Sequence, residues 1–152
     1  MNLKQILVAI VFLLFVSCKK ETVYVDVIPT PKTSEELLTA HTWKTDEVRA
    51  QVSNGTTQYY LRGASGNTVN YDSDSIKFTS NNTAAYYYLG SQYSATWNFT
   101  NSDKSKMTVV INFPTAATLY LENVTLGETT FTYSQYITSS PTYLASVRRT
   151  PN

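Results

Sequence analysis

The chain has 152 residues, which allows one domain with short extensions, and 42% of them are hydrophobic, enough to fill a core. Lys and Arg number 12 against 11 Asp and Glu, and a net charge of +1 gives no basis for binding nucleic-acid phosphates. One His and one Cys exclude most metal cages, a disulfide framework and acid–base sites built on paired histidines. We therefore expect a protein that is not an enzyme and has no metal, no cofactor and no nucleic-acid partner.

The N-terminus has the pattern of an export signal. Lys4 precedes an unbroken apolar run of eleven residues that ends at Val16. Such a run is shorter than the roughly 20 residues of a membrane-spanning helix and fits the roughly 7–15 of a secretory signal. Ser17 and the only cysteine, Cys18, follow directly, so that Phe15–Cys18 resembles the lipobox of bacterial lipoproteins.

The lipobox resemblance implies a lipid anchor at Cys18. In that family the thiol is diacylated, the signal (here residues 1–17) is removed, and the cysteine becomes the first residue. Two or more acyl chains give stable membrane attachment, whereas one chain gives only marginal binding. The alternatives are that Cys18 is the last residue of an anchor helix or an inert thiol, and neither explains why the sole cysteine stands at the end of the apolar run, after Ser17.

The residues after the cysteine predict a location and a spacer. Residues 18–21, Cys-Lys-Lys-Glu, partly resemble the signal that routes some lipoproteins to the outer face of the outer membrane. We expect a bacterial envelope protein of the outer membrane, and exposure at the cell surface stays open. Residues 18–33 contain no Gly and end with Pro29 and Pro31, which favours a stiff tether. Alternating valines within 23–27 leave an edge strand as the alternative.

The next segment predicts the only helix. Thr33 or Ser34 is a good N-cap, and Glu35 and Glu36 supply acidic side chains for the first turn, so a short helix is expected over 34–39. Residues 34–152 are expected to form one domain.

From residue 42 onward the hydrophobic period is two, which is typical of β-strands. The alternation is strongest over 93–100 and 107–113, and the polar residues 101–106 between them predict a hairpin connection. The remaining turn signals delimit seven further strands, near 42–52, 56–62, 74–80, 84–89, 117–125, 128–137 and 142–150.

So many consecutive hairpins predict an all-β antiparallel up-and-down β-barrel of eight or nine strands, since closure removes the sheet edges; a folded-over sandwich is the alternative. Tyr60, Tyr86 and Tyr88 are expected to point outward. The residues expected to point inward are Val48, Ala50, Val52, Tyr59, Leu61, Ile76, Phe78, Ala85, Tyr87, Leu89, Leu119, Leu121, Phe131, Tyr133, Tyr143, Ala145 and Val147.

Over residues 34–150 the layout resembles the lipocalin-like lipoprotein domains of bacteria. A short helix precedes Trp43 at the opening of the first strand, and Arg148 or Arg149 lies near the end of the last strand. His41 stands where lipocalins have the Gly of their Gly-x-Trp motif. The resemblance implies that the late arginine covers Trp43 and that the pair closes the base of the barrel; a cation over an indole contributes about 0.5–2 kcal/mol.

Chemistry-bearing residues are few. The sequence has no Gly-x-Ser-x-Gly turn that would supply a nucleophilic serine for His41, so catalysis is not expected. Asp72 and Asp74 could offer oxygen ligands to a hard cation, but the rest of a calcium loop is missing, and a solvated turn is the favoured interpretation.

Two functions remain open. The first is a lipid-anchored barrel, monomeric, that binds a small apolar ligand. If the barrel is hollow, we expect its lining to include Tyr87, Trp97, Phe99, Phe131 and Tyr133. The second is a β-sheet interaction module that binds a glycan or an envelope protein through exposed tyrosines. The membrane, through acylated Cys18, is a partner in both.

Overall fold

A computed structural model describes residues 29–51, 57–137 and 144–152. The predicted signal, Cys18 and most of the tether lie outside the described residues, as do Val52 and Tyr143. Residues from Lys32 to Asn152 form one compact unit. Its elements are α1 (Ser34–Ala40), β1 (Thr42–Gln51), β2 (Thr57–Leu61), β3 (Ser75–Phe78), β4 (Thr83–Tyr88), β5 (Ser91–Phe99), β6 (Met107–Ile111), β7 (Ala117–Leu126), β8 (Phe131–Ile137) and β9 (Leu144–Pro151).

The helix α1 begins where the sequence predicts it. Thr33 is the N-cap: its hydroxyl accepts from the Glu36 amide at 3.2 Å, and its own amide donates to the Glu36 carboxylate at 2.7 Å. These bonds form a capping box, and the bonds that the Thr33 amide and hydroxyl donate to the Glu36 carboxylate lower the pKa of Glu36. Leu38 is fully buried and attaches the helix to the barrel. Within the described ranges, no helix is long and apolar enough to cross a membrane.

The strands close into an eight-stranded antiparallel barrel with one additional strand, which confirms the predicted fold class. Strands β3 to β9 pair in sequence order, and β9 returns to pair with β1 from Trp43 to Gln51. The other edge of β1 is shared: its first residues pair with β3 and its last with the extra strand β2. The predicted number of strands is confirmed.

The outer edge of β2 is covered by the loop that follows it. The Thr68 amide donates to the Tyr59 carbonyl at 2.9 Å, and the Asn67 side chain bonds both the amide and the carbonyl of Leu61. These contacts occupy backbone groups that an open edge would offer to another chain.

The inside of the barrel divides into two halves along its axis. The half next to α1 is filled by large apolar side chains in edge-to-face aromatic contact, such as Trp43 with Phe131 and Phe78 with Trp97. The buried residues of this packed half are Leu38, Trp43, Ile76, Phe78, Trp97, Met107, Val109, Leu121 and Phe131.

Most of the residues predicted to point inward are buried. In two strands, however, the predicted inward and outward faces are reversed. In β2 the buried side chain is Tyr60, not Tyr59 or Leu61. In β4 the buried side chains are Ala84 and Tyr86, with Tyr88 packed against the core; Ala85 is only partly buried and Tyr87 is 38% exposed. Leu89 is 71% exposed because it lies in the two-residue β4–β5 turn.

Candidate functional site

The other half of the barrel contains a cavity of about 280 Å³. Its walls come from β1, β2, β4, β6, β7, β8 and β9 and from the loops that carry Tyr71 and Phe113. The apolar wall residues are Val48, Ala50, Ile111, Leu119, Ala145 and Val147, and the aromatic ones are Tyr71, Tyr86, Tyr88, Phe113 and Tyr133.

The floor of the cavity is a buried ion pair. An Nη1–Oδ1 distance of 2.7 Å separates Arg149 from Asp74, and their side chains are 7% and 3% exposed. Arg149 reaches the interior because it alternates with Ala145 and Val147 along β9. Asp74 directly precedes β3, and the pair therefore lies between the packed half and the cavity.

Hydrogen bonds fix both partners of the ion pair. The hydroxyls of Thr45 and Tyr86 donate to the two carboxylate oxygens of Asp74. The Arg149 Nε donates to the Tyr133 hydroxyl at 2.9 Å, and Nη1 donates to the Trp43 carbonyl at 3.3 Å. Among the described residues, no side-chain N or O is both sealed from solvent and without a partner. The floor is consequently polar and rigidly held.

Burial shifts the pKa values of these groups. Desolvation, followed by the negative charge of Asp74, raises the pKa of Tyr86, and desolvation raises that of Tyr133 despite the nearby Arg149. Burial by itself lowers the pKa of Arg149. The negative charges that ionised Tyr133 and Asp74 place beside the guanidinium outweigh this effect and raise the pKa. Both tyrosines are protonated at neutral pH, so Asp74 is the charge that stabilises the guanidinium there.

Only one of the five predicted lining residues borders the cavity, and that residue is Tyr133. Trp97 and Phe131 fill the packed half, and Trp97 Nε1 donates to the Thr83 carbonyl at 3.0 Å. Phe99 is partly buried beneath the Lys104 ammonium, 5.1 Å from the ring centre.

Tyr87 is wrong as a lining residue because it points out of the barrel. Its neighbours Tyr86 and Tyr88, which were predicted to point outward, line the cavity instead, and that prediction is also wrong.

The predicted closure residues are in place, but their contacts differ from those implied by the resemblance. Arg149 bonds the Trp43 main chain and Asp74, and the cation–ring contacts among the described residues do not include Trp43. The indole of Trp43 is edge-on to Phe131 and donates to the Leu38 carbonyl at 2.8 Å, which joins α1 to the barrel. Arg148 points outward and pairs with Asp46 at 2.7 Å.

Asp72 is an exposed turn residue, as the favoured interpretation expected, whereas Asp74 is not. Asp74 is 2% exposed, so a solvated turn is wrong for this residue, and Asp72 accepts a 2.8 Å bond from the Tyr60 hydroxyl. Within the described part of the chain, no cluster of His, Cys, Asp or Glu could hold a metal ion. His41 packs edge-on against Trp43, with ring centres 5.4 Å apart.

Sequence reasoning missed the role of the Arg149–Asp74 pair as the cavity floor. A signal for Arg149 was present, since it continues the inward alternation of Ala145 and Val147. Asp74 likewise continues the inward alternation of Ile76 and Phe78, but neither alternation shows that the two charged side chains pair with each other.

A second depression, of about 260 Å³, lies beside α1. Six of its seven lining residues have polar side chains, and they come from α1 with its N-cap and from the β3–β4 turn, which makes it a weaker candidate for a ligand than the barrel interior. The lining residues are Thr33, Glu35, Glu36, Thr39, Ser80, Asn82 and Trp97.

Comparison of the chain with protein-family models, curated proteins and solved structures gave no match. The architecture itself, a closed antiparallel barrel with one short helix, is consistent with a lipocalin-like fold.

Proposed function

We propose that this protein is a non-enzymatic, lipid-anchored binding protein that holds one small, largely apolar molecule inside its barrel. The observation that carries the proposal is the contrast between the two halves of one barrel. Aromatic and aliphatic side chains fill one half, whereas about 280 Å³ of the other is unfilled. Protein interiors are normally close-packed, so an unfilled half of this size favours a binding role.

The size and lining of the cavity restrict the ligand. A volume of about 280 Å³ corresponds to about nine water molecules at about 30 Å³ each, and it lies just below the usual 300–1,000 Å³ of ligand pockets. The ligand is therefore a molecule of about ten heavy atoms. Aliphatic walls suit an apolar body, and the polar floor suits a single hydrogen-bonding group.

The alternative, a surface that binds a glycan or envelope protein through tyrosines, has less support. Tyr60 and Tyr86 are buried, and Tyr88 lines the cavity. Tyr87 and Tyr120 are exposed, but β5 and β6 separate their strands, a distance of about 14 Å at about 4.8 Å per strand. They do not form one continuous aromatic platform.

The anchor belongs to the same proposal. Its support is the sequence alone: a short apolar run followed by Ser17 and the sole cysteine, Cys18. Acylation there would keep the barrel at a bacterial membrane, within reach of small apolar molecules that partition into lipid.

A fluorescent probe tests the binding function. The full chain in lipid nanodiscs is titrated with 1-naphthylamine, a neutral fluorophore small enough for the cavity, with empty nanodiscs as background. Ala145→Phe places a ring in the cavity and is expected to abolish the saturable signal, since Ala145 lines the cavity opposite Ala50. Ser146→Phe adds the same ring to the exposed face of β9 and is expected to retain the signal. Equal signals from both variants would contradict the proposal.

A further inference from the structure

Part of the Arg149 guanidinium has no partner among the residues that the structure describes. Its Nε and Nη1 atoms contact Tyr133, Trp43 and Asp74, whereas Nη2 has no hydrogen-bond partner among the described residues. No side-chain nitrogen or oxygen in these residues is both sealed and unpartnered, so Nη2 is reachable from the adjoining space. Arg149 is only 6% exposed and lines the cavity, and that space is therefore the cavity itself.

The charge next to this free donor is already balanced. Asp74 lies 2.7 Å from Nη1, and its carboxylate oxygens accept from Thr45 and Tyr86. The remaining cavity residues carry no further charge at neutral pH. An anionic group at Nη2 would be attracted by Arg149 but repelled by Asp74, which is paired with the same guanidinium, and would still lose its hydration.

A neutral hydrogen-bond acceptor is not repelled by the charge of Asp74. A hydroxyl, ketone or ester oxygen can accept from Nη2 without bringing a net charge into the barrel. Its apolar body would then lie along Val147 and Leu119 towards the layer of Ala50 and Ala145.

We propose, building on the proposed function, that the cavity selects a neutral amphipathic molecule whose oxygen accepts a hydrogen bond from Arg149 Nη2. Asp74 determines this specificity: it cancels the charge of Arg149 and so disfavours carboxylates of the same chain length.

The test compares octanol with octanoate, at a pH where octanoate is ionised. Each competes against 1-naphthylamine on the full chain in nanodiscs, and free concentrations are measured to correct for partition into lipid. The wild-type protein is expected to bind octanol more tightly. Asp74→Asn leaves Arg149 uncompensated, and it is expected to increase the affinity for octanoate relative to octanol by about tenfold, as for a hydrogen bond to a charged group.

Asp72→Asn is the matched control. It removes a carboxylate two positions away, but Asp72 is exposed and does not line the cavity, so the octanol-to-octanoate ratio is expected to stay at the wild-type value.

The outcomes separate this inference from the proposed function. Failure of wild type to bind either competitor or the probe overturns both. Binding with a wild-type preference for octanoate, or with a ratio unchanged by Asp74→Asn, overturns only the selectivity. If Asp74→Asn does not fold, as judged by circular dichroism, the selectivity is tested by whether the wild-type protein prefers octanol to octanoate.

Discussion

Arg149 and Asp74 form an ion pair across the inner face of β1. Arg149 belongs to β9 and Asp74 precedes β3, and these strands flank β1 on its two sides. The hydroxyl of Thr45, from β1 itself, donates to the same carboxylate. The pair thus links three neighbouring strands at the point where the barrel closes.

Loss of one partner of this pair is expected to destabilise the barrel strongly. Arg149→Met leaves Asp74 as a buried carboxylate without its counter-charge, which should lower the free energy of unfolding by about 3–5 kcal/mol. Urea unfolding followed by circular dichroism measures the change. Combining it with Asp74→Asn should recover part of the loss, because no uncompensated charge remains.

Arg148→Met is the matched control on the same strand. Arg148 points outward to Asp46 and Glu47, and its side chain is 41% exposed. Exposed pairs contribute about 0–1 kcal/mol, so this variant should unfold close to the wild type. If Arg149→Met and Arg148→Met lower the free energy of unfolding by similar amounts, Arg149 is not buried as described.

Trp43 is expected to hold the helix end of the barrel. Trp43→Ala removes a fully buried indole and should lower the free energy of unfolding by about 3–5 kcal/mol. Trp43→Phe keeps most of the packing and loses the bond to the Leu38 carbonyl, at a cost of about 0.5–1.5 kcal/mol plus the smaller ring's packing deficit. Urea unfolding distinguishes the two variants. Equal decreases in the free energy of unfolding would contradict the role of the Trp43 indole in packing this end of the barrel.

Alkaline pH is expected to unfold the protein. Burial and the bond to Asp72 raise the pKa of Tyr60 to about 12, and burial raises those of Tyr71, Tyr86 and Tyr133. Unfolded tyrosines titrate near pH 10, so above that pH the folded state binds more protons than the unfolded state. The stability present below about pH 10 should therefore be lost as the pH rises towards 12.

Thermal melts across this pH range measure the effect. Tyr60→Phe cannot ionise and should show a shallower decline than the wild type. A melting temperature that stays constant between pH 10 and 12 would show that these phenols are not buried in the folded protein.

The sequence was sufficient for the barrel, because turn residues and two-residue alternation specify consecutive antiparallel strands. It was not sufficient for the phase of β4, where Ala84–Tyr88 offers similar side chains to both faces. The β4–β5 turn decides the phase. Leu89 and Gly90 adopt φ values of 48° and 77°, as a two-residue type I′ turn requires, and this places Leu89 outside the strand.

The phase of β2 and the floor of the cavity depend on polar contacts between distant segments. Tyr60 points inward with its hydroxyl on Asp72, while Tyr59 remains outside beneath Arg49, 5.6 Å from its ring centre. A hydrophobic pattern treats the two tyrosines alike. The ion pair between Asp74 and Arg149 is likewise a tertiary contact: the local alternation turns each side chain inward but does not specify that the two pair.

Cys18→Ala is expected to abolish metabolic palmitate labelling and to release the barrel from the membrane fraction, because the acceptor thiol is lost. Labelling gels and fractionation of the producing bacterium measure both. Ser17→Ala retains the cysteine and a small residue before it, so labelling should persist. Normal labelling of Cys18→Ala would overturn the lipid anchor.

The most direct test of the cavity is methyl NMR of the full chain in nanodiscs during titration with octanol. Ala50, Ala145 and Val147 line the cavity, whereas Ile76 and Met107 belong to the packed half. We predict saturable shifts for the first three methyl signals and much smaller ones for the other two. Unshifted signals for Ala50, Ala145 and Val147, or equal shifts at both ends of the barrel, would contradict a ligand site in this half.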